Sequence, residues 1–188
     1  MFVDGVAAGA NAPMMTLYDA QVVTLTATDN PTGVDGTTLL SVVSGPVASF
    51  DLANPGTQTV GVAFNDTITA LDQYGNIVTA YTGAQTLDFS GPSVSPTLQP
   101  PTYPASVSFS SGIGTATAIT LVDAQTTALT ATQGSITGTS PDFSVDAGPA
   151  TNFVVLGPSS ATTGVPFAVT ISAFDSYGNP AVTYNRCV

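Results

Sequence analysis

An all-β fold, an antiparallel Greek-key sandwich of two sheets carried in tandem repeat, is what three observations in this sequence predict. The side-chain inventory has no Lys, Glu, His or Trp, while 18 Gly and 14 Pro punctuate a chain rich in Thr and Val. Missing Glu and Lys removes two strong helix formers, and Thr, Val, Gly and Pro disfavour helix interiors but suit strands and turns. The second observation is strict apolar alternation before short turn phrases, as expected of half-buried strands. The third is internal repetition, which has to be sought before any fold is assigned.

Two phrases carry that repetition. "ALDQYGN" (70–76) returns as "AFDSYGN" (173–179), and residues 45–85 align without a gap on 148–188. Sixteen of those 41 positions are identical, among them Phe50/Phe153, Phe64/Phe167, Ile68/Ile171 and Tyr81/Tyr184. A second match, "TLYDAQVVTLTAT" (16–28) with "TLVDAQTTALTAT" (120–132), lies elsewhere in the period, at an offset of 104. Upstream of it "FVDGV" (2–6) resembles "FSSGI" (109–113). A period of about one hundred residues is the size of one sandwich domain. The expected division is residues 1–44 as the back part of one unit, 45–147 as a whole unit and 148–188 as the front part of a third.

The elements follow in chain order. Val62, Phe64, Asp66, Ile68 and Ala70 alternate along one predicted strand, as do Val165, Phe167, Val169, Ile171 and Ala173. Asp66 breaks the first of these series. A bulge or a solvated edge is the expected cause, ahead of a ligand or ion site. Asp72 ends the strand by accepting backbone N–H groups in an Asx-turn, with Gly75 supplying a positive φ and Asn76 tolerating one. "IVTAY", "TLDFS", "ASVSF", "GTATAITL", "TTALTAT" and "DFSV" are the strands expected next. Seven or more short strands between turn signals fit a Greek-key sandwich. Between units, "SVVSGPVASF" and "SVDAGPATNF" leave only a Gly-Pro step, a joint that bends less than a Gly/Ser linker.

The phrase A-x-D-x-x-G-N after an alternating strand, with the hundred-residue period, resembles the bacterial immunoglobulin-like repeats of large surface proteins of the invasin and intimin type. A filamin-type repeat is a weaker match. The residues carrying the resemblance are Asp72, Gly75 and Asn76 with Asp175, Gly178 and Asn179. In such families they are structural turn residues, so no catalytic role comes with them. The resemblance implies an immunoglobulin-like sandwich in an extracellular stalk or adhesive array.

Charge and composition bound the function. All twelve acidic residues are Asp, Arg186 is the only positive side chain, and the net charge is −11. Binding to nucleic-acid phosphates or to anionic membranes needs cations that are absent. No apolar run reaches membrane-spanning length. "MFVDGVAAGANAP" has neither a basic n-region nor a continuous apolar core, so it does not read as a signal peptide. One Cys excludes an internal disulfide framework and a cysteine-based zinc site.

Catalytic sets fare no better. Without His or Lys, Ser–His and Ser–Lys nucleophilic arrangements cannot be built, and no Asp pair is singled out for glycoside hydrolysis. No catalytic, cofactor-binding or metal residue is therefore assigned. "DNPTGVDG" (29–36) only faintly resembles an acidic calcium loop; it lacks the spacing and the terminal bidentate carboxylate, and weak extracellular calcium binding is the most it allows.

The five-proline stretch "GPSVSPTLQPPTYPA" (91–105) reads as a connection stiffened by proline rather than a polyproline-II or sugar-stacking surface around Tyr103. "NDT" (65–67) matches a glycosylation sequon by accident, being inside a predicted strand. The tail "NRCV" departs from the repeat and reads as a truncation or frameshift rather than a thiol site. Three functions are then in play: a spacer or adhesive module of a surface protein; a self-assembling protein joined head to tail through incomplete terminal repeats and open strand edges; and a carbohydrate-binding accessory module, which the lack of Trp disfavours.

Overall fold

The computed structural model describes residues 6–7 and 12–185. Expectations resting on Phe2 to Gly5, and on Arg186 and Cys187, lie outside that range. No helix occurs among the described residues; fifteen strands do.

The chain opens with a hairpin, β1 (Val22–Asp29) and β2 (Val34–Ser41), paired over eight residues from Val22↔Ser41 to Asp29↔Val34. Next come β3 (Ser49–Leu52), β4 (Gln58–Thr59), β5 (Ala63–Leu71), β6 (Gly83–Gln85), β7 (Asp88–Ser90), β8 (Val107–Ser110) and β9 (Ile113–Thr120). They are followed by β10 (Thr126–Thr127), β11 (Thr130–Gln133), β12 (Ile136–Thr139) and β13 (Phe143–Asp146). A second hairpin-like pair, β14 (Asn152–Leu156) and β15 (Thr170–Phe174), closes the described chain.

Strands β3 to β13 make a two-layer sandwich. One layer is the five-stranded sheet β3-β5-β9-β8-β6; the other joins β12-β11-β7 and β10-β13-β4. The chain changes layer five times, at β3 to β4, β4 to β5, β6 to β7, β7 to β8 and β9 to β10, and β4 meets β13 in parallel while the other ladders are antiparallel. This is an immunoglobulin-like Greek-key arrangement. Between the layers lie Phe50, Leu52, Ile68, Val107, Ile119 and Leu129, all with 5% exposure or less. Alternation explains the selection: β8 and β13 both read buried-exposed-buried-exposed, as half-buried strands must.

Three sequence expectations need correction. "IVTAY" is not a strand. Ile77 forms only an isolated bridge to Leu71, and a turn closes with the Tyr81 N–H donating to the Val78 carbonyl at 2.9 Å. That turn swings the Tyr81 ring onto Phe109, centroids 4.8 Å apart, which is worth more than extending the ladder. The alternating run from Val165 becomes a strand only at Thr170. In β5 the corresponding first residues, Ala63 and Phe64, pair with Thr120 and Ile119 of β9, whereas no strand pairs with 165–169 among the described residues.

The third correction concerns Asp66. It is not at a solvated edge, since β5 lies between β3 and β9. The register does shift between Phe64 and Asp66, so the bulge expectation holds. The extra residue is on β9: Ala118 sits at φ 57 and donates its N–H to Asn65 Oδ1 at 3.1 Å.

Candidate functional site

The repeated turn does more than end a strand. In Asp72 to Asn76 the Asp72 carboxylate is 3% exposed and collects donors from several directions. Its Oδ1 accepts the Tyr74 N–H at 2.9 Å and the Asn76 N–H at 3.0 Å. Its Oδ2 accepts the Gly45 N–H at 2.9 Å, and Asn76 Nδ2 donates to both oxygens at 3.1 and 3.0 Å. Gly75 holds φ 84, the left-handed value the turn requires.

Gly45 belongs to the Gly-Pro step, so Asp72 ties the incoming chain to the turn. Asn76 then reaches across that step. Its Nδ2 donates to the Tyr18 carbonyl at 2.8 Å, and its Oδ1 accepts the Ala20 N–H at 2.9 Å. Both partners are backbone atoms of "TLYDAQ", the other repeated phrase. The two repeated phrases are thus in contact across the step.

The second joint reproduces the first. Asp175 accepts the Tyr177 N–H at 2.9 Å, the Asn179 N–H at 2.9 Å and the Gly148 N–H at 3.0 Å. Asn179 Nδ2 donates to the Val122 carbonyl at 3.0 Å, and its Oδ1 accepts the Ala124 N–H at 2.9 Å. Val122 and Ala124 stand where Tyr18 and Ala20 stand one period earlier. Burial is deeper here: Asn179 is 1% exposed whereas Asn76 is half-buried.

The difference comes from Tyr177. Its ring lies against Gly61, and its carbonyl accepts from both the backbone N–H and the hydroxyl of Thr97, at 3.3 and 3.1 Å. At the first joint Tyr74 instead packs against Tyr18 with the rings tilted by 60° and their centroids 4.8 Å apart, and both residues stay more than half exposed.

Electrostatics follow from the donors. Burial alone raises the Asp72 pKa, but the Asn76 side chain and the N–H groups of Gly45, Asn76 and Tyr74 outweigh it and lower the value to about 2. Burial likewise opposes, and the matching donors around Asp175 overcome, so its pKa also falls. Both joints therefore hold a carboxylate whose charge is spent on backbone N–H groups.

The other candidate positions fall as follows. The proline-rich stretch 91–105 is folded rather than extended: Ser95 is 1% exposed, and its Oγ accepts the Gln99 N–H at 3.0 Å. Its tip, Pro96 and Thr97, supports Tyr177 and Gly178, so this connection is part of the second joint. Sequence reading missed that contact, since no local pattern encodes it. Tyr103 stacks on Phe89 against the core, centroids 5.4 Å apart, with its hydroxyl buried and its pKa pushed up to about 12 by burial.

In 29–36 the Asp29 carbonyl and carboxylate accept from Gly33 and Thr32 of their own hairpin turn. Among the described residues, no three acidic, His or Cys side chains converge as a metal cluster would. Asp66 is buried, with Oδ1 accepting the Thr67 N–H at 2.9 Å and Oδ2 unpartnered among the described residues. Burial raises its pKa to about 6 against the lowering by Thr67.

No protein-family model and no curated protein matches the chain. Solved structures similar to it include the Escherichia coli adhesin FdeC, over 86% of this chain and 53% of that one, at 18% identity and a TM-score of 0.48. Yersinia pseudotuberculosis InvD is similar over 86% of this chain and 52% of its own, at 17% identity and a TM-score of 0.41. Domains 1–6 of the surface layer protein SbsC are similar over 78% of this chain and 18% of that one, at 19% identity and a TM-score of 0.38. The chain thus spans about half the length of the first two.

Proposed function

We propose that this chain is a non-catalytic segment of an extracellular array, in which immunoglobulin-like units divided at 44/45 and 147/148 are locked head to tail as a spacer or adhesive stalk. The duplicated joint carries this reading. Two copies of one hydrogen-bond set, each built from an Asp, an Asn and a Gly-Pro step, hold consecutive units at what is chemically the same hinge. Asn76 and Asn179 bind only backbone atoms of the preceding unit, so the joint tolerates side-chain variation there, as Tyr18 and Val122 illustrate.

A chain without His, Lys or Glu suits a mechanical role rather than acid–base work. Its acidic surface keeps an apolar, Thr-rich polypeptide soluble at high local density. The test is where the protein resides. Antibody raised against residues 45–147 is expected to label intact producing cells or their medium; labelling obtained only after lysis contradicts an extracellular array.

A further inference from the structure

We propose that the central sandwich is a tension-bearing element: drawn out by its two ends, it is held by its first and last strands in shear, with the β4–β13 ladder as the catch. This rests on the spacer reading for its purpose and goes further by giving particular strands a mechanical task.

Tension has a defined way in and out. The chain enters the unit at Gly45, whose N–H is held by Asp72 just past the Leu71 end of β5. It leaves at Gly148, where an added Cβ would lie 3.8 Å from the carbonyl oxygen of Val60, close to the Ala63 end of β5. The nine residues of β5 set entry and exit about 27 Å apart.

Both terminal strands lie along this axis. β3 runs inward from the entry, with Ser49 opposite Leu71 and Leu52 opposite Ile68, so a pull on Gly45 drags it lengthwise past β5. β13 runs outward to the exit between β10 and β4, and a pull on Gly148 drags it lengthwise past both. Its ladder with β4 is parallel, Val145↔Gln58 and Asp146↔Thr59, and the Val60 N–H extends it by donating to the Asp146 carbonyl at 2.9 Å. That ladder joins the first part of the unit directly to its last strand. Parallel strands pulled from opposite ends slide rather than peel, so their bonds have to break together. Val60 and Val145, 5 and 3% exposed, back the ladder with core packing.

The pairs outside the central unit meet the same pull differently. In β1–β2 the chain enters at Val22 and leaves at Ser41, which are partners. In β14–β15 it enters at Asn152 and leaves at Phe174, partners again. Tension on such ends opens one pair at a time, and each pair meets the force alone.

Stretching single molecules of the full 188-residue chain at constant tension, held by the two ends, is the test. β1–β2 and β14–β15 are expected to open first, and residues 45–147 last, in one step of roughly 300 Å. Val60→Ala and Val145→Ala make one and the same change beside the β4–β13 ladder. Val107→Ala makes it on β8, an inner strand, where Val107 is 0% exposed. The first two are expected to shorten the lifetime of the central unit under tension about 3- to 10-fold, because their contacts are lost before the barrier is crossed. Val107→Ala, though at least as destabilising in denaturant, is expected to leave that lifetime within about twofold, since forced unfolding follows the barrier and not the equilibrium. A central unit that extends at the same tension as the flanking pairs overturns the proposal, as does a Val107→Ala lifetime shortened as far as those of Val60→Ala and Val145→Ala. Neither result bears on where the protein resides, and antibody labelling found only after lysis would leave these lifetimes unchanged.

Discussion

At the residue scale, one carboxylate is costly and two are well housed. Asp66 has a folded pKa of about 6 against 3.8, so the folded chain holds its proton more tightly than the unfolded one. Its contribution to stability is therefore full below 3.8 and lost as pH rises through 6. Asp72 behaves oppositely: with a folded pKa of about 2, its contribution is present above 3.8 and lost as pH falls toward 2. Denaturant titrations across pH are expected to show the central sandwich strongest near pH 4 and weaker on either side. Asp66→Asn, tested at pH 8, is expected to stabilise by about 1–2 kcal/mol, because it removes the cost of ionising a buried carboxyl. It should also flatten the acidic-to-neutral slope; an unchanged slope contradicts this account of Asp66. Sequence alone announced Asp66 as a break in an apolar series, but not its cause, because the compensating residue, Ala118, is on another strand. The Asx-turn at Asp72 was legible too. The reach of Asn76 to Tyr18 and Ala20 was not, because it joins positions 58 and 56 residues apart.

At the element scale, identical letters in identical registers do different amounts of work. Leu129 is 0% exposed beneath a covering layer, while Leu25, its counterpart one period earlier, is only half-buried. Leu129→Ala is expected to cost about 2–5 kcal/mol in chemical denaturation, as buried leucines do when a cavity remains. Leu25→Ala, measured under conditions where the chain is monomeric, should cost well under half of that; equal losses would mean that the first hairpin has a cover not seen here. Strand existence was well anticipated where alternation and pairing coincide, as in β8, β9 and β13. It failed where alternation lacked a neighbour. Val165, Phe167 and Val169 alternate faithfully, yet a strand needs a ladder partner, and periodicity in one segment says nothing about the availability of another. "IVTAY" failed for the opposite reason: the packing of Tyr81 onto Phe109 outweighed a β-favouring composition.

At the scale of the whole molecule, the joints decide whether the units behave as a rod or as beads on a string. A bare Gly-Pro step restricts bending only through proline; the Asp and Asn contacts add a fixed orientation by tying the linker and the preceding unit to one turn. The period was plain in the sequence, but the stiffness was not, because it resides in contacts between segments 55 and 57 residues apart. Residual dipolar couplings measured on the weakly aligned, monomeric chain address this most directly. One alignment tensor is expected to fit the backbone of β3–β13 and of β14–β15 together in the native chain, and to split into two of unequal magnitude in Asn179→Ala. Two independent tensors in the native chain, or a single shared one that survives in Asn179→Ala, would contradict the claim that this turn fixes the joint.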